Sequence, residues 1–273
     1  MEIQIEKEPV ENLNYLVVAQ GGRDKQGNVK IEEVPLPIYL GEIKGLKSDL
    51  EYLILASDLQ GIVIEKGEEI LLGEVLADFL QLYMSIEFPF TDLQKVGVLL
   101  CGDLYANLEK RGGGGDVKGV WRKFNEYFKF VVGVAGNHDA FGSKEDFETF
   151  QREEGIYFLN KKIIKVEGLT IGGVSGIIGN PAKPQRVEKE DYLKALKKIL
   201  TKRPDFTLLH ESPNNKNPKL EGNKKIRDLI DCSHGNTICS GHCYWKENII
   251  KAENNNQMIN VDAKCMILKI VKD

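Results

Sequence analysis

The sequence predicts an α/β fold in which parallel strands are joined by helical crossovers, and three successive stretches carry that reading. Leu50–Ala56, Val96–Cys101 and Phe130–Ala135 are short, almost uninterrupted apolar runs, the pattern of strands covered on both faces. Between them, Ile70, Leu71, Val75, Leu76, Phe79, Leu80 and Tyr83 recur at helical spacing, as do Val117, Val120, Trp121, Phe124 and Phe128. Strand, helix, strand, helix, strand in unbroken succession is the mark of a sheet with parallel neighbours.

Each apolar run stops at a polar loop. The loops are Ser57-Asp58-Leu59-Gln60-Gly61, Gly102-Asp103-Leu104 and Gly136-Asn137-His138-Asp139. Right-handed crossovers bring such loops to one edge of a sheet, the edge where α/β proteins bind ligands. An aspartate after a strand can simply cap the next helix. Convergent carboxylates repel one another unless a cation lies between them, so repetition of the pattern favours a metal.

The second half repeats the arrangement. Ser143 is placed to cap a short helix carrying Phe147 and Phe150, which closes at Gly155. Strand-like runs follow at Ile156–Leu159, Ile163–Val166 and Leu169–Val174, then a helix over Lys189–Lys202. Phe206–Leu209 ends in His210, and Thr237–Ser240, after a short helix around Ile226–Ile230, ends in Gly241-His242-Cys243-Tyr244. Of four histidines, all but His234 therefore follow a predicted strand. Any one alone reads as structural; three sharing an edge with two aspartates read as a site.

Residues 1–49 are expected to form a β-rich lead-in packed on the same domain as residues 50–273. Tyr15–Ala19 and Val29–Ile31 read as strands around the turns at Gly21-Gly22 and Gln26-Gly27-Asn28, the second ending before Pro35 and Pro37. A hairpin that extends or covers a sheet edge is preferred over a substrate-selecting flap.

Composition bounds the function. The 273 residues are 42% hydrophobic, enough for a substantial core. A formal net charge of -4 gives no general footprint for nucleic acid, although a local basic patch is compatible with it. There is no apolar run long enough to span a membrane and no secretory signal pattern at Met1–Glu6, so a cytoplasmic protein is expected. Five cysteines, an odd number, suit reduced thiols. Oligomeric state is not legible.

Taken in order, Asp58-Leu59-Gln60, Gly102-Asp103, Gly136-Asn137-His138-Asp139, His210 and Gly241-His242 resemble the motifs of the calcineurin-like metallophosphoesterase superfamily. The family pattern is Asp-x-His, Gly-Asp, Gly-Asn-His-Asp/Glu, His and Gly-His-x-His, and the resemblance spans about residues 50–265. It implies a four-layer α-β-β-α sandwich, two packed mixed β-sheets flanked by helices, and two divalent metal ions at the carboxyl ends of the strands. By position, Asp103 would bridge both ions, with Asn137, His210 and His242 completing one site and Asp58 and Gln60 facing the other. His138 would stand beside them as the catalytic non-ligand, protonating the departing oxygen or stabilising the phosphoryl oxygens, its ring oriented by Asp139 or Asp103.

Two positions depart from the pattern. Gln60 stands where the family has a histidine, and Tyr244 where Gly-His-x-His has its last one. The Asp58/Gln60 site should therefore be oxygen-rich, weaker and biased toward manganese, magnesium or iron over zinc. Tyr244 is expected either to hydrogen-bond the phosphate or a bound water, or simply to pack. The expected activity is hydrolysis of a phosphoester small molecule or nucleotide. A diester is favoured because Gly-Asp-Leu-Tyr-Ala-Asn and Gly-Asn-His-Asp-Ala lack the arginines that clamp phosphate in the family's protein phosphatases. The alternative is a catalytically degenerate scaffold with this fold.

Three other features have plainer readings. Cys232, His234, Cys239, His242 and Cys243 do not have the spacing of a zinc knot. Gly112–Gly115 lacks the Lys-Ser/Thr of a phosphate loop and reads as a mobile rim loop. Asn214–Lys219 reads as a solvated loop.

Overall fold

The computed structural model describes residues 1–214, 222–252 and 254–272. The N-terminal strands are β1 (Glu2–Ile5), β2 (Glu11–Arg23) and β3 (Val29–Lys44), followed by β4 (Tyr52–Ser57) and a hairpin of β5 (Ile62–Glu65) and β6 (Glu68–Leu71). Then come α1 (Leu72–Glu87), β7 (Val96–Leu100), β8 (Gly115–Asp116), α2 (Lys118–Tyr127), β9 (Phe130–Gly133), β10 (Asp139–Ala140) and α3 (Lys144–Phe150). The second half holds β11 (Ile156–Phe158), β12 (Lys162–Val166), β13 (Leu169–Val174), β14 (Ile177–Ile178), β15 (Arg186–Val187), α4 (Lys189–Lys202) and β16 (Phe206–Leu209). It closes with α5 (Lys224–Asp231), β17 (Thr237–Ser240), β18 (Ile249–Lys251), β19 (Gln257–Asn260) and β20 (Lys264–Val271).

Two large mixed sheets result. One runs β11-β9-β7-β4-β20-β3-β2-β5-β6, with β1 paired to β3; the other runs β12-β13-β16-β17-β19-β18. Strands β4, β7, β9 and β11 are parallel, as are β13, β16, β17 and β19. The alternation along β4 shows how the layers form. Leu53 and Leu55 point into a core shared with Phe206, Leu208, Cys239 and Ile259 of the second sheet, whereas Ile54 and Ala56 pack with Leu76, Trp121 and Phe124 of the helices. A strand buried on both faces has no place for a polar residue, hence the continuous apolar run. A third core, with Tyr192, Leu196, Ile226 and Ile230, seats α4 and α5 on the outer face of the second sheet. The architecture is thus a four-layer α-β-β-α sandwich.

Several elements differ from the sequence reading. Ile70 and Leu71 end a strand rather than begin α1, because Val63 and Ile62 pair with them across a tight hairpin. Strand β3 does not stop before Pro35 but runs through both prolines. The carbonyls of Ile38 and Leu40 accept from Val10 and Glu6, so the even-numbered residues of β3 turn their polar groups toward the β1–β2 side. Pro35 and Pro37 face the other edge, which β20 joins only at Ile38, so their missing N–H groups break no ladder. The lead-in therefore lies inside the large sheet, β3 being flanked by β2 and β20. Ser143 caps α3 as expected, through a reciprocal box with Asp146.

Trp121 is fully buried, its ring edge-on to those of Phe141 and Phe150. Trp121→Ala is expected to lower stability by about 3–5 kcal/mol in urea unfolding. Leu82→Ala, on the 57%-exposed outer face of α1, should change it by less than about 0.5 kcal/mol.

Candidate metal centre

The loops after β4, β7 and β9 in one sheet, and after β16 and β17 in the other, meet at one rim. Asp103, His210 and His242 converge there, with ligand atoms all within 4.8 Å of one another. The rings of His210 and His242 lie 4.9 Å apart. Among the described residues this is the group of acidic, histidine and cysteine side chains that draws together so tightly; the Cys232–Cys243 set does not.

Two close approaches make the convergence sterically feasible. A Cβ on Gly136 would collide with the Asp103 carboxylate, and one on Gly241 with that of Asp58. Asp58, Asp103 and His242 themselves adopt left-handed backbone, with φ of 53°, 54° and 68°. Such conformations cost about 1–3 kcal/mol each in non-glycine residues and persist where the surroundings over-determine them.

The surroundings here are hydrogen bonds from loop to loop. Asp139 Oδ2 accepts from the backbone N–H of Asp103 at 2.9 Å and of Gly136 at 2.7 Å, and its Oδ1 accepts from Leu104 N at 2.7 Å. His138 N donates to Asp103 Oδ1 at 2.9 Å, and His242 N donates to Asp58 Oδ2 at 2.9 Å. Asp139 is therefore a backbone clamp, and the group beside the His138 ring is Asp103, whose Oδ2 lies 3.9 Å from Nε2.

Burial and charge act strongly here. The Nδ1–H of His210 donates to the Cys101 carbonyl at 2.9 Å, which turns Nε2 inward, 3.3 Å from Asp103 Oδ2 but without the alignment of a hydrogen bond. Burial opposes protonation of this ring, yet the adjacent Asp103 carboxylate outweighs it and raises the pKa to about 10. His242 is pushed down to about 4 by burial and by His210. Burial raises Asp139 to about 6, helped by Asp103. Asp58 is held well above the carboxylate range by burial and then by Asp262. For Asp103, burial is outweighed by His210, and its pKa is lowered. The pocket favours positive charge at its centre.

The remaining predicted residues are placed as follows. Asn137 is buried with its side-chain oxygen lacking a hydrogen-bond partner. Gln60 donates through Nε2 to Asp103 Oδ2 at 3.1 Å. Asp58 is drawn aside, its Oδ2 also accepting from Ser57 Oγ at 2.7 Å, and does not join the tight cluster. Tyr244 is 56% exposed with Lys264 Nζ 4.8 Å above its ring, and it is not among the residues lining the cavity over the site.

That cavity, about 400 Å³, extends from Asp58, Gln60, Asp103, His138 and His242 to residues that the sequence reading did not connect with the site. Tyr15 and Glu32 come from β2 and β3, Lys110 and Arg111 from the rim loop, and Asp262 from the β19–β20 loop. The signal for Asp262 was weak, since the stretch Met258-Ile259-Asn260-Val261 before it is interrupted by a polar residue. Gly112 and Gly113 line the rim as expected, whereas residues 215–219 of the expected solvated loop lie outside the described residues. Among the described residues no helix is long and apolar enough to cross a membrane.

No family model matches the sequence, and no curated protein matches it. The crystal structure of the calcineurin-like phosphoesterase YfkN from Bacillus subtilis is similar at 14% identity, over 70% of this chain and 71% of that one, with a TM-score of 0.41. The structure of the protein of unknown function AQ665 from Aquifex aeolicus is similar at 14% identity, over 79% of this chain and 95% of that one, with a TM-score of 0.31. TM-scores this low do not bear on family or activity.

His210 gives a test of the electrostatics. Its folded pKa of about 10 lies above its ordinary value of 6.5, so its contribution to stability is complete below pH 6.5 and lost as pH rises to 10. Metal-free protein should lose stability across that interval, by at most about 1.4 kcal/mol per pH unit. His210→Gln should remove most of the slope in pH-dependent thermal unfolding.

Proposed function

We propose that this chain is a metal-dependent phosphoesterase of the calcineurin-like superfamily, acting on phosphodiesters at a dinuclear site. The observation that carries the reading is the convergence of Asp103, His210 and His242 from two sheets, with their ligand atoms within 4.8 Å. Beside it the buried Asn137 Oδ1 has no hydrogen-bond partner, and a buried polar atom is seldom left so without a reason. One carboxylate, two imidazole nitrogens and an amide oxygen are a donor set that suits a divalent transition ion.

In this reading Asp103, Asn137, His210 and His242 hold one ion, while Asp58, Gln60 and Asp103 hold the second. The oxygen-rich second site favours manganese or magnesium, with iron and zinc as further candidates. Bound divalent ions would lower the pKa of a water and neutralise charge developing on the phosphoryl group. The protein's own groups do the rest. The Nδ1–H bond of His210 to Cys101 leaves Nε2, now facing Asp103, as the nitrogen that would give up its proton to a bound ion. His138 lines the cavity with its side chain 27% exposed and Nε2 3.9 Å from Asp103 Oδ2, positioned to give a proton to the departing alkoxide. Lys110 and Arg111 at the rim supply positive charge for an anionic substrate, although the motif arginines are absent. A cavity of about 400 Å³ suits a nucleotide-sized molecule.

Manganese-loaded protein is expected to hydrolyse bis-p-nitrophenyl phosphate faster than p-nitrophenyl phosphate. His138→Ala should lower turnover by about 10²-fold or more at unchanged metal content and melting temperature. Full activity in that variant would remove His138 from the mechanism, and a faster monoester reaction would overturn the diester preference.

A further inference from the structure

The outer edge of the smaller sheet carries a surface whose positive charge is uncompensated. The last three turns of α4 and its cap, Tyr192–Arg203, contain four lysines and an arginine but no acid, and the segment Asn160–Val166, which includes β12, contains three lysines and no acid. The two meet across an open groove of about 610 Å³, with Lys161, Lys162 and Ile163 on one side and a row containing Lys194, Lys198 and Lys202 on the other. Each of these lysines is exposed. Strand β12 ends the order of its sheet, so no further strand covers this flank.

Other helices treat their lysines differently. Lys123 of α2 pairs with Glu126, Lys144 of α3 with Glu148 and Lys225 of α5 with Asp228. Among the described residues the lysines lining the groove form no ion pair. Lys194, Lys198 and Lys202 follow one another at four-residue spacing, about 6 Å of helix rise apart, where like charges weaken a helix. The helix dipole accounts for Lys202 in the last turn but not for Lys194 in mid-helix. Protection of an open sheet edge accounts for Lys162 but not for the row on α4. A polyanion lying between the two rows accounts for both.

We propose that the groove between α4 and β12 binds the phosphate backbone of a double-stranded nucleic acid, without reading its sequence. Lysine meets phosphate as a point charge on a flexible stem, and charge repeated at a regular interval along one helix suits a polymer that carries a charge on every unit. No aromatic side chain lines the groove, so a single strand finds no surface on which to stack its bases. The exposed apolar side chains Leu82, Ile86 and Phe90 lie on α1 and just beyond it, away from the groove, which therefore has neither a wedge for a bilayer nor an apolar anchor for a protein partner. The groove shares no lining residue with the cavity over the metal centre, and the inference does not rest on the phosphoesterase reading.

Fluorescence anisotropy with labelled DNA and RNA duplexes of about 20 base pairs, in EDTA and over about 50 to 200 mM salt, tests the proposal. For the wild type, the logarithm of the binding constant should fall against the logarithm of salt concentration with a slope of about -3 or steeper, at least about three phosphates being neutralised. The triple variant Lys194→Glu, Lys198→Glu, Lys202→Glu should bind at least about tenfold more weakly with a flatter slope. A control of equal net charge, Lys7→Glu, Lys25→Glu, Lys30→Glu, should bind as the wild type does. The pair Lys161→Glu, Lys162→Glu, on the other side of the groove, should weaken binding as well, and it carries the test if circular dichroism shows that the α4 variant is misfolded. Failure of the wild type to bind either duplex overturns the proposal, and so does an equal loss in the groove and control variants. Sedimentation with vesicles of phosphatidylcholine and phosphatidylserine at a salt concentration where neither duplex binds would also overturn it, by reassigning the groove to a membrane surface.

Discussion

One carboxylate, that of Asp139, determines whether the candidate centre exists as a geometry. Its two oxygens take three backbone N–H groups, from Gly136 in the loop after β9 and from Asp103 and Leu104 in the loop after β7. Hydrogen bonds from amides to a carboxylate are charge-assisted and roughly twice as strong as neutral ones. They are needed because Asp103 sits in left-handed backbone and is pressed against Gly136. Burial without these donors would drive Asp139 further toward its neutral form, which accepts less well. The clamp thus ties the acidity of a residue outside the cluster to the position of the acid at its centre.

The clamp can operate because the loops emerge from a rigid base. Leu53, Leu55, Phe130 and Val132 of the large sheet interlock with Phe206, Leu208, Cys239 and Ile259 of the smaller one, all close to fully buried. Interiors packed in this way do not deform continuously. The separation of Asp103 from His210 and His242 is therefore set by the spacing of two sheets rather than by any single loop. Only side chains at the common edge can bridge that spacing. A buried His210 is correspondingly costly to alter, since its ring also holds the Cys101 carbonyl across the same gap.

How much of this was legible follows from the range of the forces involved. The buried strands β4, β7, β9, β16 and β17 could be read because burial on both faces leaves a continuous apolar signature, and the residue after each run could then be assigned to the rim. The sandwich itself came from the ordered motifs, since periodicity does not say which sheet a strand joins. Strand β3 was cut short because proline is weighed locally, whereas its tolerance at Pro35 and Pro37 depends on where a strand more than two hundred residues later begins to pair. Asp139 and Asp103 could not be told apart as neighbours of the His138 ring, because sequence does not show which way each carboxylate turns; that of Asp139 turns to three backbone amides. Asp262 went unseen for a different reason. Its strand was not recognised, since Asn260 interrupts the short apolar run that precedes it.

The two halves of the proposed centre are held in place by different kinds of contact. In the half formed by Asp103, Asn137, His210 and His242, the donors come from both sheets and His210 is fixed through the Cys101 carbonyl, so a change at any one loop disturbs the base beneath it. In the other half Asp58 is held by Ser57 and by the His242 amide, and Gln60 by Asp103, through hydrogen bonds between neighbouring loops only. Ligand identity there can change without moving a sheet. Gln60 spends its amide N–H on Asp103, while Tyr244 is exposed beneath Lys264. The same physics that makes the first half rigid thus leaves the second half held by its loops alone.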